Sequence, residues 1–386
     1  MKWFNAERLR CILTFPVETL SLLSHGDDFA DKEWADFAAE MYAEGHSFFT
    51  YVSDSVDSLA SCCRLRNGIT ENQFSYTLGA GGIATGSKCV MTINVNRLVQ
   101  NRMCDLMGCQ HGEEDISEIR SESNFDQNLE DISYAVAEQT KLIHMYLTAY
   151  NEILLDMTRK HMISIYDAGF ISPEKEYLTV GINGAVEGAE YLGIEISNND
   201  HYKAYINSIL KPIYELNKAD KTKDAMFNTE FVPAENLGVK NAKWDKADGY
   251  VVPRPCYNSY FYVVEDEKTN PIDKFQLHGK EFTQYLDGGS ALHCNLEEHL
   301  SKAQYEQLLK YAIKTGCNYF TFNIPNTVCN NCGHISKHKL NECPECGSDN
   351  LDYATRVIGY LTRVSKWSED RQAEHKRRFY APRNVA

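Results

Sequence analysis

Cys329, Cys332, Cys343 and Cys346 form two Cys-x-x-Cys pairs close together in the chain. That spacing lets two tight turns deliver four thiolates to one tetrahedral metal. Gly333 and Gly347 directly follow the pairs and Pro344 lies inside the second, which shapes both turns. Four protein ligands leave no position for water, so the pattern predicts a structural zinc and not a catalytic one. His334 and His338 lie between the pairs, but two complete pairs make a histidine ligand unnecessary. Two other segments carry residue types suited to chemistry. Cys62 and Cys63 are adjacent in a stretch dense in Ser, Gly and Asn, where simple packing is the ordinary reading. Arg356-Val357-Ile358-Gly359-Tyr360 follows the metal site and reads, from its residues alone, as a strand with a glycine at a bend or close backbone approach.

The 386 residues hold 39 basic and 54 acidic side chains, a formal charge of −15, with 43% hydrophobic and 24% charged content. This is globular composition, and it argues against general affinity for nucleic-acid backbone. A nucleic-acid-binding ribbon is therefore the weaker reading of the cysteine pairs, despite a tail after Leu361 rich in Lys and Arg. No apolar run reaches a membrane span, and Met1 to Arg10 do not resemble a signal segment. The expectation is a cytoplasmic protein with no membrane partner. Thirteen cysteines, an odd number with two adjacent, point to reduced thiols.

Elements that could position these residues are legible in places. Ile12 to Val17 reads as extended, Lys32 to Met41 as helix, and Ser53 to Gly86 as loop. Leu129, Ile132, Val136, Thr140, Ile143 and Leu147 recur as a helical stripe beside a solvated acidic face. Leu178 to Ile182 reads as a buried strand, followed by the turn Asn183-Gly184 and a helix from Ala185 to Leu192 that ends at Gly193. A second turn, Asp287-Gly288-Gly289-Ser290, precedes Ala291 to His293. Ser301 caps a helix reaching Lys314, and Tyr319 to Ile324 alternates as a strand. Strands separated by helices predict an α/β layout.

The Arg-Val-x-Gly-Tyr segment resembles the glycyl radical loop of glycyl radical enzymes. Ser53 to Asn67, Phe74 to Lys88 and Thr92 to Arg97 together resemble the finger loop and following strand of anaerobic, class III ribonucleotide reductases. Pro233 to Asn236, Asn183-Gly184 and Thr283 to Ala291 support the same family. The resemblance implies a fold that is the C-terminal half of a ten-stranded α/β barrel of the glycyl radical enzyme and ribonucleotide reductase type, plus a small four-cysteine zinc domain. The implied domains are a partial barrel over 1–325 with the finger loop near 53–90, a zinc domain over 326–350, and the radical loop with a basic tail over 351–386.

Gly359 would then store a glycyl radical, delocalised between amide nitrogen and carbonyl. Cys63, directly followed by Arg64, would carry the thiyl radical with Cys62 as its neighbour, although the two assignments could be reversed. Gly288, Gly289 and Ser290 are phosphate candidates, and Asn94 is a candidate for the ribose hydroxyls or the reductant, each weighed against an ordinary structural role. The implied activity is reduction of ribonucleoside triphosphates, with formate or a thioredoxin-like protein as reductant. A radical SAM activase would supply S-adenosylmethionine and an iron–sulfur cluster, and the core would be a homodimer. Full-length members of the family are longer, with the finger loop near the middle. The chain therefore reads as one product of a split reductase, paired with a separate N-terminal chain, or as an incomplete gene. The alternatives are another glycyl radical enzyme of the formate acetyltransferase type, which the four-cysteine site disfavours, and a non-catalytic remnant that docks with activase or reductase.

Overall fold

A computed structural model of the protein describes residues 1–54, 58–60, 66–68, 86–108, 120–231, 236–356 and 359–382, with the backbone alone at 58–60, 66–68 and 107. Strands covered on both faces need apolar or β-branched residues in succession, without polar alternation. Tyr177–Asn183 and Tyr319–Asn323 have that make-up and are buried almost throughout. Tyr177–Asn183 lies between Ser87–Asn94 and Met226–Phe231, all parallel. Leu292–Asn295 pairs in parallel with Tyr319–Asn323, which runs antiparallel to Phe49–Ser53. Phe49–Ser53 is in turn parallel to Thr19–His25, and the short Asp28–Phe29 closes that side.

A bridge between Glu230 and Gly289 joins the three-stranded and five-stranded sheets. Five parallel strands therefore follow one another in chain order, from Ser87–Asn94 to Tyr319–Asn323, and meet two strands of opposite direction. Gly288 makes this join close. Its N–H donates to the Thr229 carbonyl over 2.7 Å, and a Cβ added there would stand 2.4 Å from the same oxygen.

Helices shield the strands. Phe125–Arg159 buries Ile132, Val136, Thr140, Ile143 and Leu147, the stripe read from the sequence, against Asp200–Ala219. Lys32–Ala43 packs on Lys302–Thr315, whose N-terminus carries a reciprocal capping box between Ser301 and Gln304. The strand Thr19–His25 and the helix Asp200–Ala219 were not legible in the sequence. In the helix, Pro212 interrupts the usual signal.

The C-terminal part adds a sheet of order Ile335–Ser336, Asn326–Cys329, Leu351–Arg356, Leu361–Arg363, all antiparallel. This one sheet crosses the expected boundary at 350/351, so metal ribbon and glycine loop share a single hydrogen-bonded unit. Val328, Ile335, Ala354 and Leu361 form its own small core.

Gly288→Ala tests the weld between the two sheets. The added methyl must push the turn off Thr229, and thermal or urea unfolding should register a loss of about 2–4 kcal/mol. An unchanged midpoint would contradict the close approach.

Candidate functional site

Two Cys-x-x-Cys turns can converge only if each folds its backbone tightly. Gly333 N–H donates to the Cys329 carbonyl (3.0 Å) and Gly347 N–H to that of Cys343 (2.9 Å). Both glycines adopt positive φ, 79° and 67°, a conformation that disfavours a side chain. The four sulfurs lie within 4.8 Å of one another, with Cys329–Cys346 and Cys332–Cys343 each at 3.6 Å. Tetrahedral thiolates at the usual zinc–sulfur length stand about 3.8 Å apart, so the donor set fits such an ion. The Cys332 backbone N–H is the chief reason that the Cys329 thiol is pushed down to about 6, which favours the thiolate a metal needs.

From the second turn the chain runs directly into Leu351–Arg356, turns, and returns as Leu361–Arg363, with Arg356 opposite Leu361. Gly359 sits in that turn; Val357 and Ile358 lie outside the described residues. The hairpin is tied to the sheet by Asn323. Its side-chain carbonyl accepts from the Thr355 hydroxyl (2.8 Å) and the Arg356 N–H (3.2 Å), while its amide donates to Asn295 Oδ1 (2.8 Å). All four residues are buried. A buried polar network of this kind is costly unless satisfied, and here its members satisfy one another.

Arg356 reaches further. Its guanidinium donates to the Gly359 carbonyl and to Ser47 Oγ (3.1 Å), and its centre lies 4.6 Å from the Phe49 ring. Gly359 is thereby connected to the start of the strand Phe49–Ser53. Tyr360 meets Phe15, with ring centroids 5.6 Å apart. Arg378, held by Glu374 over 2.8 and 2.9 Å, donates to the Arg356 carbonyl (2.9 Å).

Phe49–Ser53 leads into an antiparallel ribbon, Ser58–Ala60 with Arg66–Gly68. Cys62 and Cys63 fall in the connection between those strands, outside the described residues, as do Pro233, Ala234 and Glu235. Four of the five parallel strands end in asparagine: Asn94, Asn183, Asn295 and Asn323. The carboxyl edge of the array is therefore polar, the edge at which open α/β sheets bind ligands. Glycine-turn residues and Asn94 have structural partners there. Asn94 caps the helix Val95–Met107 through the Arg97 N–H (3.3 Å) and donates to Asp245 over 2.9 and 3.0 Å. A ribose contact at Asn94 has to compete with these bonds.

Gly288, Gly289 and Ser290 lead into a strand and not a helix, so no helix dipole backs a phosphate there. The Gly288 N–H is already given to Thr229, and Ser290 Oγ stands 3.3 Å from His278 Nδ1. Burial also pushes the adjoining Asp287 carboxyl up to about 6, a weak setting for a further anion.

Sequence reading missed Arg356 as a site residue and missed Asn295 and Asn323 entirely. Their positions at strand ends were the available signal, but an asparagine in that place is ordinary punctuation. Arg356 was quoted only as part of the glycine motif.

Comparison with known proteins agrees with this geometry. A sequence-family model described as anaerobic ribonucleoside-triphosphate reductase matches residues 5–380. The chain belongs to that family. Among solved structures, an anaerobic ribonucleotide reductase superposes with TM-score 0.79 at 24% identity, over 98% of this chain and 57% of that one. The anaerobic ribonucleotide reductase from Thermotoga maritima in complex with dATP and CTP gives 0.76 at 26% identity, over 96% and 57%. A glycyl radical enzyme from Archaeoglobus fulgidus gives 0.61 at 13% identity, over 97% and 54%. The chain thus spans little more than half the length of these proteins. No curated protein sequence matches it.

Cys346→Ser removes one of the four donors. Metal analysis of the purified protein should fall from about one zinc per chain to near none, with a lower melting temperature. Full zinc retention in the variant would contradict a four-thiolate site.

Proposed function

We propose that this member of the anaerobic ribonucleoside-triphosphate reductase family reduces ribonucleoside triphosphates to deoxyribonucleotides by a radical relay between Gly359 and a cysteine of the 61–65 segment. The observation that carries the reading is the Arg356 bridge. It connects the Gly359 carbonyl to Ser47 and Phe49, at the root of the strand leading to Cys62 and Cys63. The glycine hairpin is thus tied to the strand from which the chain continues towards the cysteine segment.

In the relay, Gly359 stores the radical at its α-carbon. Cys63, or Cys62 with the roles reversed, gives its sulfur-bound hydrogen atom to that carbon and becomes a thiyl radical. The thiyl takes the 3′-hydrogen of the ribose, which regenerates the S–H bond and leaves a carbon radical on the sugar. Loss of the 2′-hydroxyl as water consumes two electrons and two protons; the electrons come from formate or a thioredoxin-like protein, and the cysteine returns the 3′-hydrogen at the end. The chain's part is to position these groups and exclude water and oxygen. The four cysteines would hold a zinc ion that braces the hairpin and takes no part in the chemistry.

The parallel array with its two antiparallel neighbours suits the C-terminal half of a ten-stranded barrel. On that reading Ser87–Asn94 is the edge at which the rest of the barrel would continue, within a homodimeric core. Its neighbour among the described residues is Tyr177–Asn183 alone. Gly288, Gly289, Ser290 and Asn94 border the same carboxyl edge and stay candidates for the nucleotide, subject to the competing bonds above. A radical SAM activase with its iron–sulfur cluster and S-adenosylmethionine would install the radical on Gly359. The expected setting is an oxygen-free cytoplasm. Among the described residues no helix is long and apolar enough to cross a membrane.

Anaerobic EPR after incubation with the activase, S-adenosylmethionine and a reductant tests the relay, with and without a candidate N-terminal half. A doublet from a carbon-centred radical, abolished in Gly359→Ala, is expected. Cys63→Ser should keep the doublet yet lower deoxynucleotide formation by at least about a thousandfold. No doublet in any mixture, with zinc bound and the fold intact, would contradict the reading and leave a docking role.

A further inference from the structure

We infer that Arg356 is an electronic partner of the Gly359 radical: its guanidinium donates to the carbonyl oxygen over which the unpaired electron spreads, and so governs the spin distribution and stability of the stored radical. The inference rests on the reading of Gly359 as the radical site. It adds a residue whose part goes beyond holding the loop.

The geometry makes the donation specific. Arg356 is 1% exposed, so water does not compete for its N–H groups. Nε is given to Ser47, the guanidinium lies on the Phe49 face, and the backbone is held from both sides by Asn323 and Arg378. A side chain fixed at so many points presents Nη1 to Gly359 with little freedom lost. Among the described residues no carboxylate forms an ion pair with Arg356. Its charge is balanced by weaker groups, the aromatic face and the Gly359 carbonyl dipole. Burial, with the Arg8 cation as a second cause, draws its pKa down to about 9, which still leaves it charged at neutral pH.

The chemical consequence follows from the balance of the step. The Gly359 Cα–H bond breaks homolytically, and the hydrogen atom passes to the 5′-deoxyadenosyl radical that the activase makes from S-adenosylmethionine. The electron left on Cα spreads between the amide nitrogen, which donates density, and the carbonyl, which withdraws it. A cationic donor on the carbonyl oxygen strengthens the withdrawing arm, moves spin from Cα towards oxygen and stabilises the radical. An arginine paired to a carboxylate would do this less, since its charge would be spent.

The test is anaerobic EPR on the full chain, loaded by the activase, for wild type, Arg356→Lys and Arg356→Gln. The α-proton splitting should widen from wild type through lysine to glutamine as spin returns to Cα. Radical yield in the glutamine form should fall about tenfold or more, the loss expected for one charge-assisted hydrogen bond. Equal splittings in all three would overturn the inference while leaving Gly359 as the radical site. A wild-type chain without a doublet in any of the mixtures named above would overturn both. Where a variant does not fold, deuterium ENDOR on the wild-type radical exchanged into D2O serves instead. A coupled exchangeable proton at the Gly359 oxygen is expected, and its absence would overturn the inference.

Discussion

Asn323 uses both ends of its side-chain amide to hold the C-terminal hairpin against the carboxyl edge of the sheet, and the placement of Gly359 depends on that junction. The constraint is one of satisfaction. Asn295, Asn323, Thr355 and Arg356 are all buried, so each polar atom needs a partner, and the hairpin and the strand ends supply them to each other. A shift of the hairpin by one residue would leave several of these groups unpaired and would also turn its side chains to the opposite face. The hairpin is therefore fixed in register as well as in position.

The metal ribbon acts on the same junction from the other end. Cys329 ends the strand opposite Leu351, and five residues along that partner strand lies Arg356, about 17 Å at the usual rise. The hairpin core of Val328, Ile335, Ala354 and Leu361 is too small to order this sheet by burial alone, so a metal at its base is a physically sensible brace. The Gly359 end of the hairpin then sits where the strand towards Cys62 and Cys63 begins. The cysteine cluster and the glycine turn are joined by a single sheet.

How much of this was legible beforehand varied with the kind of signal. The four-cysteine cluster was fully legible, because two Cys-x-x-Cys pairs encode its geometry locally. The long helix stripe and the Ser301 cap were legible for the same reason: the partners lie within a few residues. The Asn323 hub and the Arg356 bridge were not, since the first joins positions 28 to 33 residues apart and the second joins Ser47 to Arg356, 309 apart, and nothing local marks either. The glycine turn at 287–290 carries a second demand. Its residues suit a phosphate loop, but the Gly288 N–H is consumed by Thr229 to join two sheets, a demand visible only in the fold. The sheet that joins the cysteine knuckles to the glycine hairpin was not legible either, because cysteine spacing delimits the knuckles and not the strands that extend beyond them.

A metal held by the cysteine ribbon should keep the Gly359 hairpin in register. Hydrogen-exchange mass spectrometry under anaerobic conditions, with zinc bound and after chelation, measures this directly. Amides of Leu351–Arg356 and Leu361–Arg363 are expected to lose protection when the metal is removed, while those of Phe125–Arg159 keep theirs. Equal protection of the hairpin in the two states would contradict it.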